Sequence, residues 1–386
     1  MQNVLFYYNN DEFLYLIEEI KKIYKISNYY ILKTGERAKK IKYKKNNIYC
    51  DIKQLNDLNI EVAFVISESP FVNKINYELY NIGIRQVYTI NSEYLSMLNQ
   101  NKTLKDLITK FDLKKPLIGY LETHLFNKCN LNCKGCTHFS NIDDTEFMTI
   151  KEYEKNISLL SKLYNINTFR LMGGEPFLNS NLGEYIKITR KYFPKSNIDI
   201  ATNGLLICNL NKDLIDIIND NNIFIKISLY LPIEKMKNKI EKFLIDNKLL
   251  HFYGNGCKQV DDKLLIRDFH KCLTTTKKYD SKYNSENCFA RECWFLKGCL
   301  IAKCATPLQI NILNEKFKTN FKLNSNDFID ISKLKDSSWN DIERLLNPIE
   351  FCSYCSPKEE KYRWEIKNTN QQLSDYVIVK EENNGK

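Results

Sequence analysis

A chain of 386 residues has room for two or three domains at roughly 150 residues each. Hydrophobic content of 43%, charged content of 27% and abundant Tyr and Phe exclude a disordered or collagen-like chain. No run approaches the roughly 18 uncharged apolar residues of a spanning helix, and the formal charge of +10 comes from scattered Lys rather than a patterned basic face, so no membrane or nucleic-acid partner is expected.

Residues 1–112 alternate apolar strand-like runs with amphipathic stretches. Val4-Leu5-Phe6-Tyr7-Tyr8 reads as a strand, Glu12 to Tyr24 as a helix, Tyr29 to Leu32 and Val62 to Ile66 as strands, Asn73 to Ile82 as a helix and Gln86 to Ile90 as a strand. The pattern predicts a small Rossmann-like α/β domain of unknown role. The turn after the first strand is Asn9-Asn10-Asp11 rather than the glycine-rich turn of a nucleotide site, and the basic run Arg37 to Lys45 lacks interleaved aromatic residues and reads as a solvated loop. Met1-Gln2-Asn3-Val4-Leu5-Phe6 is no basic region followed by an apolar core, so a cytoplasmic location is expected.

Residues 117–255 repeat strand and helix more regularly. The strands are Ile118 to Leu125, Thr168 to Met172, Ile198 to Ala201, Phe224 to Leu229 and Leu250 to Tyr253, and the helices begin at Thr149, Leu182, Lys212 and Ile233. Thr149 with Glu152 forms a capping-box signature. Five strands with helical crossovers predict a parallel sheet curling toward a partial barrel, with chemistry in the loops after the strands. After Gly254 the periodicity fades. Residues 256–366 read as cysteine-rich loops stabilised by metal–thiolate bonds, and residues 367–386 as a polar tail.

The 13 cysteines are bunched, and in a reducing compartment bunched thiols read as metal ligands rather than disulfides. Cys129, Cys133 and Cys136 stand at C-x3-C-x2-C spacing in the loop leaving the first strand of the sheet. Three thiolates can wrap one face of a cluster and leave one iron of a four-iron cube without a protein ligand; a zinc site would need a fourth ligand, for which His138 is the nearest candidate. Gly173-Gly174-Glu175-Pro176 follows the next strand, where bare backbone lets a ligand lie close and Glu175 can accept from an ammonium group.

In this order, on these strand ends, the motifs resemble the radical S-adenosylmethionine (SAM) superfamily. The resemblance implies a partial (β/α)6 barrel in which Cys129, Cys133 and Cys136 hold a [4Fe-4S] cluster and Gly173, Gly174 and Glu175 bind the ammonium of SAM, with Thr202, Asn203 and Ser228 among its further contacts. It implies reductive cleavage of SAM to a 5'-deoxyadenosyl radical that abstracts hydrogen from a substrate, and an electron donor such as flavodoxin or ferredoxin as partner. Many members carry an aromatic residue before the third cysteine, whereas this chain has Gly135. The C-terminal cysteines resemble a SPASM/twitch-like domain, which implies an auxiliary [4Fe-4S] cluster on Cys288 or Cys293, Cys304, Cys352 and Cys355, with zinc as the alternative metal.

Cys50, Cys208 and Cys257 read as buried apolar thiols and Cys272 as a spare one. The strand–helix–strand N-terminal pattern favours a sugar or other small molecule over a peptide substrate. The competing class is a zinc or iron–sulfur binding protein without turnover.

Overall fold

The computed structural model describes residues 3–8, 13–33, 48–49, 51–67, 72–143, 148–254, 258–260, 264–266 and 268–378. Cys50, Cys257, the turn Asn9-Asn10-Asp11 and the run Arg37 to Lys45 lie outside them.

The first sheet contains β1 (Val4–Tyr8), β2 (Tyr29–Lys33), β3 (Ile48–Tyr49), β4 (Val62–Ser67), β5 (Gln86–Asn91) and β6 (Ile108–Asp112), in the order β3-β2-β1-β4-β5-β6. All neighbours are parallel except β5 and β6. Strands β1 and β4 are continuous apolar runs because both sheet faces are covered. Val4, Phe6, Tyr8 and Phe64 pack with Leu16, Ile17 and Ile20 of helix Leu14–Tyr24, while Leu5, Ala63 and Val65 share the other face with Ile75 and Leu79 of helix Asn73–Asn81.

The second sheet is built on β7 (Leu117–Phe126), β8 (Asn165–Gly173), β9 (Asn197–Thr202), β10 (Ile223–Ile227) and β11 (His251–Tyr253). Then follow β12 (Lys258–Val260) and β13 (Leu264–Ile266), an antiparallel pair apart from it, and β14 (Asp268–Leu273), which pairs with the last strand. Strands β15 (Trp294–Lys297), β16 (Leu300–Ala302) and β17 (Phe328–Asp330) rejoin the sheet, and β18 (Cys355–Arg363) closes the series. The order is β11-β10-β9-β8-β7-β15-β16-β17. Strands β7 to β11 run parallel and β15 adds a sixth parallel strand beside β7. The architecture is therefore α/β, an open partial barrel.

Helices Ile150–Leu163, Leu182–Tyr192, Lys212–Asp220 and Lys237–Asp246 form the crossovers. The capping box is present: Thr149 Oγ1 accepts from Glu152 N–H at 3.3 Å and Glu152 Oε2 accepts from Thr149 N–H at 2.9 Å. One hydrophobic core runs from Leu5 and Ile75 through Leu117, Ile118 and Leu121 to Phe169, Ile200 and Trp294. The two sheets meet at Gly119, where a Cβ would run into Val72, and the Gly119 N–H donates to Asn73 Oδ1 at 2.6 Å. No helix among the described residues is long and apolar enough to cross a membrane.

Three expectations need correction. The crossover read as one helix from Ile233 to Asp246 is two, Leu231–Glu234 and Lys237–Asp246. The region after Gly254 is not mainly loops: it holds helices Ala305–Phe317 and Trp339–Leu346 and a core of Leu273, Ile310, Leu313, Phe321, Phe351 and Tyr354. Metal–thiolate bonds are thus not its sole source of stability. The tail is also more than a polar extension, since Gln371, Asp375, Tyr376 and Val377 are buried.

Candidate functional site

Strand β7 ends at Phe126 and releases the loop with Cys129, Cys133 and Cys136; β8 ends beside it in Gly173. The two strand ends are tied through backbone. Gly174 N–H donates to Phe126 O at 2.7 Å and Glu175 N–H to Lys128 O at 3.0 Å. A Cβ on Gly173 would run into the Phe126 backbone, and one on Gly174 into the carbonyl oxygens of Asn127 and Lys128. Glycine is needed here because the cysteine loop lies directly on this turn.

Glu175 is fully buried. Oε1 accepts from Thr202 Oγ1 at 2.7 Å and from Phe177 N–H at 3.2 Å, and Oε2 accepts from Asn203 N–H at 2.8 Å. Burial pushes the carboxyl up to about 7 against these three donors, which favour the charged form. Three donors leave a carboxylate one further acceptor position. Asn203 Nδ2 donates to Asn130 Oδ1 at 2.7 Å and lies 3.9 Å from Cys129 Sγ, linking the end of β9 to the cysteine loop. Ser228, half-buried just beyond β10, donates its N–H to Thr202 O at 2.9 Å. Glu175, Thr202 and Asn203 thus form one bonded unit against the loop, with Ser228 attached through backbone.

Backbone amides are aimed at two of the three sulfurs. Burial pushes Cys129 up to about 11, while the Leu131 N–H approaches its sulfur at 3.4 Å. Burial also raises Cys136, opposed by the amides of His138, Phe139 and Ser140 directed at its sulfur. Amides aimed at sulfur stabilise a thiolate, and such bonds also tune iron–sulfur clusters. Among the described residues no three His, Cys, Asp or Glu side chains are grouped closely enough to hold a single metal ion. A four-iron cube separates its ligands more widely than one zinc ion does. His138 Nδ1 lies 2.8 Å from His124 Nε2, and burial lowers both imidazoles.

Sequence reasoning missed what covers the loop. Gly135 has a left-handed φ of 57°, and a Cβ there would run into Tyr362 Oη and the Asp375 carbonyl. Tyr362 Oη donates to the carbonyls of Lys134 and Gly135, each at 3.2 Å. An aromatic ring therefore does stand beside the third cysteine, supplied by β18 rather than by the loop. Beyond it, Cys133 forms a β-bridge with Ile366, Lys134 N–H donates to Glu365 O at 3.0 Å, and Gln371 Nε2 donates to Asn132 Oδ1 at 2.7 Å.

The sheet face away from the helices carries charge. Arg170 on β8 holds Asp199 on β9 through two bonds of 2.5 and 2.8 Å, and Glu93 reaches Arg170 at 3.3 Å and Lys226 on β10 at 2.9 Å. Burial alone would raise Glu93, but Lys226 and Arg170 outweigh it and hold the carboxyl below its ordinary range. Tyr94, fully buried, donates to Asp199 Oδ2 at 2.8 Å. Glu93 and Tyr94 follow β5, so the first sheet sends its own side chains into this face.

The C-terminal thiols divide. Cys288, Cys304, Cys352 and Cys355 act electrostatically on one another, and Cys272 lies among them. Cys293, one of the two alternatives for the first position, stands apart: it faces Glu122 and Arg170, with Cys288 a weaker neighbour. The alternation of β15 explains this, because Cys293 and Phe295, which packs on His124, point away from the face that buries Trp294. Cys299 donates to Asn156 Oδ1 at 3.0 Å and Cys208 packs against the main core, both away from the group. Amides or hydroxyls again approach sulfur, Ala290 N–H at Cys288 at 3.3 Å, Thr306 N–H at Cys304 and the Ser285 hydroxyl at Cys352.

Comparison with known proteins places a Radical SAM superfamily domain at residues 123–247. A GTP 3',8-cyclase from Nautilia profundicola is 30% identical over 112 residues, 28% of this chain and 34% of that protein. One from Clostridium perfringens is 28% identical over 168 residues, 40% of this chain and 49% of that protein. The chain thus spans about a third to a half of the length of these curated relatives. A crystal structure of BtrN in complex with AdoMet and 2-DOIA shares 15% identity over 63% of this chain and 96% of that one, with a TM-score of 0.34.

Proposed function

Through residues 123–247 the chain belongs to the radical SAM superfamily, and from that premise we propose that it is an enzyme that cleaves SAM reductively and abstracts hydrogen from a compact polar substrate such as a sugar. Cys129, Cys133 and Cys136 would hold a [4Fe-4S] cluster, and Glu175 would spend its last acceptor position on the ammonium of SAM. When bound, the cluster supplies the electron that breaks the carbon–sulfur bond of SAM to give a 5'-deoxyadenosyl radical. The chain's own tasks are positional. The amides of Leu131, His138, Phe139 and Ser140 support charge on sulfur, and Thr202 and Asn203 fix the Glu175 carboxylate.

The observation that carries this reading is the direct bonding of Glu175 to the backbone of the cysteine loop at Lys128, and of Gly174 to the end of β7 at Phe126, which sets an ammonium acceptor beside a three-thiol site. A structural zinc site has no use for that acceptor. The strand–helix–strand architecture of the first sheet, in place of a winged-helix peptide-binding element, supports a small polar substrate over a peptide. Cys288, Cys304, Cys352 and Cys355 would hold an auxiliary [4Fe-4S] cluster able to accept the substrate's second electron, and a flavodoxin- or ferredoxin-type donor would supply the first.

Anaerobic reconstitution tests the cofactor assignment. About eight irons per chain are expected, with SAM shifting the electron paramagnetic resonance signal of the reduced protein. Stoichiometric zinc, or a signal indifferent to SAM, contradicts it.

A further inference from the structure

We propose that the cavity where the two sheets meet is a binding site for a small organic cation, a primary amine on a short apolar stem. It is separate from the SAM site. The cysteine loop leaves the carboxyl end of β7, whereas Glu292, on the cavity wall, precedes β15, which runs parallel to β7. The cavity therefore lies at the opposite edge of the second sheet.

The topology of the first sheet places it. Strands β1 and β4 are neighbours, yet helix Leu14–Tyr24, which follows β1, and helix Asn73–Asn81, which follows β4, cover opposite faces. Open α/β sheets take ligands outside the carboxyl ends of the strands at such a point. Tyr7, near the end of β1, and Ile75 and Glu78, on the helix after β4, line a cavity of about 840 Å³ whose other wall comes from between residues 285 and 348. Small-molecule sites occupy roughly 300–1,000 Å³. The far wall is fixed, because Trp339 stacks on Tyr80 at 4.8 Å and its indole N–H donates to Leu113 O at 2.9 Å.

The lining chooses the ligand's charge. It holds four carboxylates, Glu78, Glu286, Glu292 and Glu343, against three cations, Lys74, Arg291 and Lys303. The cations are already engaged. Buried Lys303 donates to the Ser285 hydroxyl at 2.5 Å, Leu346 O at 2.9 Å and Asn347 O at 3.2 Å, which occupies all three ammonium protons. Lys74 Nζ lies 3.9 Å from Glu78 Oε1, and Arg291 donates to Cys288 O at 3.2 Å. Glu292 is the reverse case. It is only 6% exposed and its Oε2 accepts from Asn73 and Lys74 N–H, while Oε1 has no hydrogen-bond partner among the described residues. A buried carboxylate oxygen without a donor is costly, and an ammonium group supplies both the donor and the opposite charge. Tyr7, Ile75 and Leu346 offer apolar surface to a short stem. The surplus of carboxylates disfavours a phosphate.

Calorimetric titration of the reconstituted full chain tests this, with putrescine, spermidine and glucosamine as amines and inorganic phosphate as the probe of opposite charge. At least one amine should bind at a single site, and phosphate should not displace it. Glu292→Gln keeps an oxygen for the helix N–H groups but removes the charge, so amine binding should weaken about tenfold or more. Circular dichroism checks its fold. Glu343→Gln lies on a helix that packs through Trp339, Ile342 and Leu345; it leaves the Glu292 bonds intact and should weaken binding about threefold, so it decides the matter if Glu292→Gln fails to fold. Binding should survive Glu175→Gln, which removes the carboxylate assigned to SAM. The proposal is overturned by no amine binding, by binding unchanged in a folded Glu292→Gln or in Glu343→Gln, or by binding abolished in Glu175→Gln. None of these results bears on SAM cleavage, so the two readings fail separately.

Discussion

Glu175 concentrates the chemistry of the site in one buried side chain. Its carboxyl is pushed up to about 7 by burial, yet an ammonium ligand requires the ionised form. SAM affinity should therefore rise with pH through about 7 and level off above it, as followed by calorimetry. Glu175→Gln should remove that pH dependence and weaken binding tenfold or more, the loss of one charge-assisted hydrogen bond of about 1.5–3 kcal/mol. The same shift has a stability consequence. Between the ordinary carboxylate range and about 7, the ligand-free folded chain holds a proton that the unfolded chain has released, so stability from this group falls as pH rises across that interval. The three-thiol loop and Gly-Gly-Glu were legible in the sequence because metal spacing and glycine turns are local. That Glu175 is already held by Thr202 and Asn203 was not, since it depends on how two strand ends abut.

Among the elements, helix Asn73–Asn81 shows how the parts are joined. Its first N–H groups have no cap from the helix itself; Glu292 Oε2, from the segment just before β15, accepts from Asn73 N–H at 2.6 Å and from Lys74 N–H at 3.3 Å. Glu292 thus caps a helix packed on the first sheet from 219 residues further along the chain. Glu292→Ala should lower unfolding free energy by about 1–2 kcal/mol in denaturant titration. Burial pushes this carboxyl above its usual range, so Glu292→Gln, which keeps an acceptor oxygen without charge, should recover most of the loss. Unchanged stability in the Ala variant would show that the cap is not used. Strands β7 to β11 were readable from apolar runs between helical stretches. Strand β15 was not, because Trp294-Phe295-Leu296-Lys297 is too short to stand out among cysteines, and its parallel partner lies more than 160 residues earlier in the chain.

For the whole molecule, the last described segment straps the cysteine loop. Tyr362, Ile366, Gln371 and Tyr376 reach the loop or Asn141 beside it, the last through a 2.8 Å bond to Asn141 Oδ1. Removing residues 364–386 should leave the two sheets folded but speed loss of the radical cluster in air, seen as faster bleaching of its visible absorbance. An unchanged rate would show that the strap does not shield the loop. Polar composition hid this role: among the described residues of that stretch only Gln371, Asp375, Tyr376 and Val377 are buried besides Trp364, too few to make a periodic signal. The central claim is that this chain brings SAM and a three-cysteine cluster together for reductive cleavage. Its most direct test is to incubate the reconstituted protein with SAM and dithionite without oxygen and to measure 5'-deoxyadenosine. The account predicts its formation in the wild type and its absence in Cys136→Ala, whereas no 5'-deoxyadenosine from a protein with a full complement of iron would contradict it.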